Sequence, residues 1–151
     1  MLALVGFVGL CLLVGLVGGS MTSHAIPGWY RLLQKPPGTP PDWVFGPVWA
    51  CLYVMIGVAG WLVWKRIGSS APLRLWGWQL AANAAWAPAF FGLRRLSLGM
   101  AVIVVLLVLI GLTIRSFRRV SRPAALLLLP YLGWCLYAAY LNAGFLLLNH
   151  A

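Results

Sequence analysis

The sequence predicts an all-α integral membrane protein, a single domain built as a bundle of five transmembrane helices. Of its 151 residues, 63% are hydrophobic and only 8% are charged, and the mean hydropathy is +0.95. One small water-soluble domain cannot bury that much apolar surface. The apolar residues also fall into five long runs, separated by short segments rich in Pro, Gly, Lys and Arg. These observations indicate that the bilayer core is the solvent for most of the surface.

The five runs lie at about 2–23, 43–64, 75–93, 98–114 and 124–149. The first lacks the positively charged start of a cleaved secretory signal, which favours a retained span. Gly15 and Gly19 form a GxxxG motif, which permits close contact with another helix. The alternative is that these glycines only reflect the high glycine content of membrane helices. The fourth run consists almost entirely of Val, Leu and Ile, and we expect it to face lipid.

The segment 24–42 contains five prolines and two glycines and is predicted to be a loop. Its Trp29 and Tyr30 suit the headgroup zone, where an amphipathic ring can be partly hydrated. Asp42 ends the loop and is predicted to cap the second helix, because free amides and the helix dipole favour a negative charge there.

Aromatic residues recur every fourth position at the start of the second span. Phe45, Trp49 and Tyr53 therefore share one helix face, which is a candidate wall for a ligand. In the third span Gln79 and Asn83 are four residues apart, and polar amides at membrane depth need partners. This face is predicted to point into the bundle.

Small and aromatic residues mark two further surfaces. Ala81, Ala85 and Ala89 form a small-residue ridge that suits helix contact, either within the bundle or between protomers. Four tryptophans near span ends are predicted to be interfacial: Trp61, Trp64, Trp76 and Trp78.

Several functional classes are excluded by composition. Eleven Lys and Arg face one acid, Asp42, but the cations form short clusters without the aromatic-interleaved face of a nucleic-acid groove. A single acid also leaves no carboxylate pair for acid/base catalysis. The histidines, His24 and His150, are isolated and the cysteines have no metal-ligand spacing, so no metal site is predicted. The cysteines are expected to be small buried side chains: Cys11, Cys51 and Cys135.

The distribution of the basic residues predicts an orientation. The segments after the second and fourth spans carry seven Lys and Arg, while those after the first and third carry four. In a bacterial cell membrane this asymmetry places the amino terminus in the cytoplasm.

Motifs distributed along nearly the whole chain resemble those of one family. They are Trp29-Tyr30 followed by Leu33-Gln34-Lys35-Pro36; Pro40-Pro41-Asp42-Trp43-Val44-Phe45-Gly46-Pro47-Val48-Trp49 with Leu52-Tyr53; Val63-Trp64-Lys65; Gln79-Leu80 with Asn83, Trp86 and Phe90-Phe91-Gly92; and Leu129-Pro130-Tyr131-Leu132 with Trp134, then Leu141-Asn142. In order and spacing they resemble the tryptophan-rich sensory protein and translocator protein (TspO/MBR) family, also called peripheral benzodiazepine receptors.

The resemblance implies a membrane receptor or transport protein, commonly a homodimer, that binds tetrapyrroles such as protoporphyrin IX beneath the first loop, without an obligatory cofactor. By motif match the ligand-binding residues are Trp29, Tyr30, Trp49, Tyr53, Asn83, Trp86, Phe90, Trp134, Ala138 and Asn142. Arg31 and Lys35 are candidates to contact porphyrin propionates, or else anchor the loop at the interface. Ala81, Ala85 and Ala89 become candidates for the dimer interface.

The chain departs from the family pattern in two places. Gly38 occupies the position of the Trp in the family's Lys-Pro-x-Trp-x-Pro-Pro, so one ring of the loop is missing. After Tyr140 there is no basic residue, so sterol binding through a motif at the carboxyl-terminal end is not supported.

Two other functions remain open beside porphyrin binding or transport. The first is light- and oxygen-dependent porphyrin breakdown, in which the resemblance implicates Trp49 and Trp134. The second is a stress-linked regulatory role exerted through protein partners.

Overall fold

A computed structural model describes residues 2–25, 28, 30, 32–39, 41–93 and 95–149, with the side chains at 21–25, 42, 43, 45, 91 and 92 outside the description. The helices are α1 Leu2–Ala25, α2 Asp42–Ile67, α3 Ala71–Ala87, α4 Leu96–Arg118 and α5 Arg122–Asn149. In the described part of the chain, four helices are long and apolar enough to cross a membrane, namely all except α3. The protein is therefore an all-α integral membrane protein.

Helix α3 ends early because of a proline. Pro88 has no amide hydrogen, so it cannot continue the α-helical hydrogen-bond ladder. The chain instead forms a π-helical segment, Pro88–Gly92, in which the Leu93 amide donates to the Pro88 carbonyl at 2.7 Å. The 17-residue helix α3 is thus followed directly by a five-residue π-helical turn.

The helices pack as an antiparallel bundle. α4 lies between α3 and α5, α1 packs on α2, and α2 also contacts α5. The core of this bundle is apolar and close-packed around Ile56, Ile110 and Leu128, each no more than 1% exposed. Only 6% of the apolar window within Leu2–Ser20 is buried inside the bundle, so α1 lies at its periphery.

The expectation that the fourth span only faces lipid is wrong. One stripe of α4 is buried against α3 and α5, and its members alternate at steps of three and four residues, the spacing of a helix seam: Leu96, Gly99, Ile103, Leu106, Ile110, Thr113 and Phe117. The opposite face, including Val104, Val105 and Val108, is exposed. A uniformly apolar helix can serve both surfaces at once.

One of the four tryptophans expected at the interface is instead buried. Trp76 is 5% exposed, and its indole Nε1 donates to the Ile56 carbonyl at 3.0 Å. The ring occupies a notch at Gly60, where an added Cβ would lie 2.7 Å from Trp76 Cε2. Trp78 and Trp64 are exposed, and Trp61 is half-buried. The paired glycine and carbonyl therefore decide where Trp76 lies.

Several smaller expectations also change. Cys51 is exposed, whereas Cys11 and Cys135 are buried. Gly15 contacts the Tyr53 ring, with an added Cβ 2.6 Å from Tyr53 Cδ2, while a Cβ added at Gly19 would meet no other part of the described chain within 4 Å. The GxxxG step is therefore a contact at one glycine only.

The alanine ridge is interrupted by the π turn. Ala81 and Ala85 are exposed on α3, but Ala89 is 4% exposed. Ala89 belongs to the π segment, which packs against α1 and α4 within the protomer. Only Ala81 and Ala85 remain available to a neighbouring molecule.

The start of α2 differs in detail from the expectation. The helix begins at Asp42, with Pro41 in the capping position, and none of the described side chains makes a capping hydrogen bond there. Asp42 is thus the first helical residue rather than the cap, and its carboxylate lies outside the described side chains, as does the Phe45 ring.

Candidate ligand pocket

A small cavity lies between α2, α5 and the end of α3. Its lining consists of aromatic and aliphatic side chains with one amide: Tyr30, Trp49, Trp86, Phe90, Trp134, Ala138, Leu141, Asn142 and Phe145. Five of these belong to α5, at Trp134, Ala138, Leu141, Asn142 and Phe145, which fall on one face of that helix. The cavity is thus built on α5, and α2 and α3 close its sides.

Two tryptophans form one wall. The rings of Trp49 and Trp134 meet edge to face, with centroids 6.4 Å apart and an interplanar angle of 88°. Behind them, the Tyr53 ring stacks on Trp49 at 5.5 Å and 28°. Contacts of this geometry are favourable for aromatic pairs and hold the two indoles in defined orientations.

A second aromatic group also lines the cavity. Trp86 stacks on Phe90 at 5.2 Å, and Phe90 meets Phe145 edge to face at 5.8 Å. Tyr30, from the first loop, adds its ring to Phe145 at 5.4 Å. The cavity therefore offers the π surfaces of two aromatic groups.

Asn142 supplies the amide of the lining and connects Trp86 to the start of α4. The Trp86 Nε1 donates to Asn142 Oδ1 at 3.3 Å, and Asn142 Nδ2 donates to the Leu96 carbonyl at 2.9 Å. A close approach makes this possible, because an added Cβ on Gly99 would lie 2.9 Å from Asn142 Oδ1 and 3.1 Å from Phe90 Cδ2. Asn142 thereby fixes the orientation of Trp86.

Tyr53 and Asn83, two residues predicted for the pocket, do not line the cavity. They belong to a buried hydrogen-bond chain next to it: the Tyr53 hydroxyl donates to Asn83 Oδ1 at 2.6 Å, Asn83 Nδ2 donates to the Tyr131 hydroxyl at 2.8 Å, and Tyr131 donates to Gln79 Oε1 at 2.7 Å. Gln79 in turn donates to the Trp76 carbonyl at 2.8 Å. The inward amides of α3 thus bind the tyrosines of α2 and α5.

The first loop contributes Tyr30 to the cavity lining, and the residues that follow are attached to α5. We call residues 32–39 the lid segment. Pro37 and Gly38 form the corner of a type II turn, with Gly38 at φ +85° and the Thr39 amide donating to the Pro36 carbonyl. The Tyr140 hydroxyl donates to the Pro37 carbonyl at 2.6 Å, and the Tyr137 hydroxyl donates to the Gly38 carbonyl. The turn is therefore held by its main chain.

A second attachment lies further along α5. The Gln34 amide donates to Asn149 Oδ1 at 3.0 Å, and Asn149 Nδ2 donates back to the Gln34 carbonyl at 3.1 Å. Pro36 is buried on Gly144, where an added Cβ would lie 2.5 Å from the proline ring. With the tyrosine contacts, these interactions seat the lid segment along the end of α5.

The cavity as folded is nearly filled by its own side chains. Its free space is about 20 Å³, enough for roughly one water molecule. Pockets that hold drug-sized ligands typically have about 300–1,000 Å³. A large ligand therefore requires the walls or the lid segment to move.

The structure brings together seven of the ten residues predicted to bind a ligand, Tyr30, Trp49, Trp86, Phe90, Trp134, Ala138 and Asn142. Trp29 and Arg31 lie outside the described residues. Lys35 is exposed, with its Nζ 5.0 Å from the Tyr30 ring centroid. Leu141 and Phe145 were missed, although the helical spacing that starts at Trp134 reaches both of them.

The fold and the cavity define an all-α integral membrane protein with an aromatic pocket inside its helix bundle. The TspO/MBR family model matches residues 7–148. The chain is 42% identical to the tryptophan-rich protein TspO of Chlorobaculum tepidum over 94% of this chain and 92% of that protein. It is 41% identical to the translocator protein of Bos taurus over 91% and 85% of the two chains. For the tryptophan-rich sensory protein of Cereibacter sphaeroides the identity is 36%, over 80% and 77%.

The chain belongs to the TspO/MBR family. The match spans the motifs from the first helix to the end of α5, which confirms the resemblance that those motifs indicated.

Proposed function

We propose that the protein is a membrane receptor or carrier that binds porphyrins, or related flat hydrophobic ligands, between the two aromatic walls. The observation that supports this most directly is that one cavity is lined by both the edge-to-face pair of Trp49 and Trp134 and the stack of Trp86 and Phe90. A porphyrin presents a wide π face, and an aromatic contact contributes about 1 kcal/mol beyond burial. Since the family membership agrees with this chemistry, a tetrapyrrole is the ligand class to test first.

Binding on this proposal begins with opening of the lid segment. The 20 Å³ cavity cannot hold a tetrapyrrole, and the lid segment is held on α5 by hydrogen bonds from Tyr137, Tyr140 and Asn149 and by the packing of Pro36 on Gly144. Each of these hydrogen bonds contributes only about 0.5–1.5 kcal/mol to stability. The free energy gained by burying a large apolar ligand face can therefore offset the cost of displacing the lid segment. Lys35 is exposed with its Nζ 5.0 Å from the Tyr30 ring centroid, and on this proposal its ammonium group binds a porphyrin propionate.

The test is a titration of the purified chain with protoporphyrin IX, followed by the shift of the porphyrin absorption band. Trp49→Leu with Trp134→Leu keeps apolar bulk but removes both π faces, and we expect the Kd to rise roughly 30-fold, since each lost contact is worth about fivefold. Trp64→Leu with Trp78→Leu is the matched control, because both of these rings are exposed away from the cavity. An equal effect in the two double variants would reject the pocket.

Light- and oxygen-dependent porphyrin breakdown is a second candidate, supported by the contact between Trp49 and Trp134 on one cavity wall. The bound porphyrin would absorb the light and oxygen would be the oxidant. Illumination of the complex in air should then bleach the porphyrin absorption faster than illumination of porphyrin in empty micelles. If the pocket double variant, saturated with porphyrin, bleaches it at the same rate as the unmodified chain, the tryptophans have no part in the reaction.

We further propose that all five helices cross a bacterial cell membrane with the amino terminus in the cytoplasm. Helix α3 and its π turn form 22 successive helical residues, about 30 Å, which is sufficient for a span. In a Cys51→Ala background, cysteines at Ser69 and Ser97 should react with an impermeant maleimide from opposite sides, Ser69 from the cytoplasm. Reaction of both from the same side would show that α3 does not cross.

The proposed homodimer would use the exposed Ala81 and Ala85 of α3, since close backbone approach needs small side chains. Ala85→Leu should reduce cross-linking of the dimer in membranes, while Leu112→Ala on the exposed face of α4 should not. An unchanged dimer in the Ala85→Leu variant would move the interface elsewhere.

A further inference from the structure

The end of the bundle away from the lid segment forms one continuous surface. The connection from α2 to α3, residues 68–70, and the connection from α4 to α5, residues 119–121, lie at this end. They are joined by a hydrogen bond in which the Arg66 guanidinium donates to the Val120 carbonyl at 2.8 Å. Side chains on the two connections can therefore contact the same bound molecule.

This surface is strongly positive. Seven cationic side chains, all exposed, belong to it, and we call them the cationic end: Lys65, Arg66, Arg74, Arg115, Arg118, Arg119 and Arg122. The chain's only acid, Asp42, is the first residue of α2, roughly 35 Å along the helix from Lys65. At that distance Asp42 cannot neutralise any of the seven, because salt screens charges beyond about 10 Å.

Helix dipoles explain only part of this pattern. Lys65 and Arg66 lie in the last turn of α2, and Arg115 and Arg118 in the last turn of α4, where a positive charge is favourable. Arg122 is the first residue of α5, and Arg74 lies one turn into α3, where the dipole disfavours a cation. These two arginines are therefore not explained by helix stability, and an external anion would compensate for their charge.

The neighbours of the cationic end identify the kind of anion. Trp64 and Ile67 are 40% and 45% exposed beside it, and Lys65 Nζ lies 4.4 Å from the Trp61 ring centroid. Amphipathic rings and basic side chains together at a span end are typical of the headgroup level of a bilayer. A partner that carries both a phosphate and acyl chains satisfies the arginines and the exposed apolar groups at once.

We propose that the cationic end is a binding surface for an anionic glycerophospholipid, whose phosphate lies among the arginines of the two connections and whose acyl chains cover Trp64 and Ile67. This surface is at the opposite end of the bundle from the aromatic pocket. The inference therefore stands whether or not the pocket binds a porphyrin.

The test uses the full chain in detergent micelles, titrated with phosphatidylglycerol or with phosphatidylcholine of the same acyl chains, and bound lipid is counted by native mass spectrometry. We expect phosphatidylglycerol to bind roughly tenfold more tightly than phosphatidylcholine at low salt, and the preference to shrink toward about 0.5 M salt, because salt screens exposed charges. Equal binding of the two lipids, or a preference that salt leaves unchanged, would overturn the proposal without any variant.

A charge-matched pair of variants locates the surface. Arg119→Gln with Arg122→Gln should lower the affinity for phosphatidylglycerol about tenfold, whereas Lys35→Gln with Arg95→Gln, which removes two exposed cations at the opposite end, should leave it unchanged. The same loss in both would mean diffuse attraction only. Displacement of the lipid by free glycerol 3-phosphate would indicate a site for soluble anions instead, and binding of a polyglutamate peptide without any lipid preference would indicate an acidic protein partner.

Discussion

Replacing Tyr131 by phenylalanine tests whether the buried hydrogen-bond chain stabilises the bundle. The Tyr131 hydroxyl accepts from Asn83 Nδ2 at 2.8 Å and donates to Gln79 Oε1 at 2.7 Å, and the residue is fully buried. Phenylalanine keeps the ring and its edge contact with Trp49 at 6.4 Å. The substitution therefore removes one oxygen atom and leaves the packing in place.

The magnitude follows from the partners that are left behind. Loss of the hydroxyl strands a donor on Asn83 and an acceptor on Gln79, and a buried polar group without a partner costs about 1–3 kcal/mol. Hydrogen bonds between membrane helices average closer to about 0.6 kcal/mol, because the unfolded chain in lipid also finds partners. For the two lost bonds together we expect the free energy of unfolding to fall by about 1–3 kcal/mol.

The assay is equilibrium unfolding of the purified chain in mixed micelles, followed by far-UV circular dichroism. Tyr140→Phe is the matched control, because it removes one hydroxyl whose single bond, to the Pro37 carbonyl, is at the exposed end of the bundle. We expect a cost for Tyr140→Phe of about 0.5–1.5 kcal/mol at most. If Tyr131→Phe is no more destabilising than Tyr140→Phe, the buried chain contributes nothing specific to stability.

Two glycine substitutions give further predictions. Gly99→Ala should lower the free energy of unfolding by about 1–3 kcal/mol, because the added methyl group overpacks against Asn142 and Phe90. Gly77→Ala is the control and should be tolerated, since a Cβ added there meets no atom within 4 Å. Equal thermal unfolding midpoints for the two variants would contradict this packing. Gly38→Ala should cost roughly 1 kcal/mol and speed proteolysis of the lid segment, since φ +85° disfavours a side chain; an unchanged cleavage rate would show that the turn does not constrain the segment.

The sequence predicted the inward amides of α3 but not their partners. Polar groups at membrane depth must be satisfied, so burial of Gln79 and Asn83 follows from their chemistry alone. That Tyr131 on α5 joins them is a contact between residues about 50 positions apart, which depends on how α5 rotates against α3. Local pattern contains no information about that rotation.

The buried stripe of α4 could not be predicted because both faces of this helix are apolar. In water, the buried stripe of α4 would stand out as apolar against a polar face, but in lipid both faces are apolar, so the seam at Ile103, Leu106 and Ile110 cannot be distinguished from Val104 and Val108 by hydropathy. Only the small Gly99 and the polar Thr113 mark the inner side.

Trp76 was predicted to be interfacial because it lies near a span end, and Ala89 was grouped with Ala81 and Ala85 because of their four-residue spacing. For Trp76 the deciding factors are a glycine and a carbonyl on another helix, Gly60 and Ile56. For Ala89 the deciding factor is Pro88, which converts the helix to a π turn against α1 and α4. The proline was readable in the sequence, but the packing partner of the turn was not.

The hydrogen bonds that α5 makes to the lid segment go to main-chain groups of that segment. Tyr137, Tyr140 and Asn149 bind main-chain groups at Gln34, Pro37 and Gly38, and every residue other than proline carries both a backbone amide and a carbonyl. The side chains at 32, 33, 35 and 39 take no part in these bonds to α5. Leu33 nevertheless packs against the apolar group that contains Leu141 and Phe145, and Thr39 Oγ1 donates to the Pro36 carbonyl at 2.7 Å. The exposed Leu32 and Lys35 are therefore the positions at which the attachment to α5 tolerates exchange.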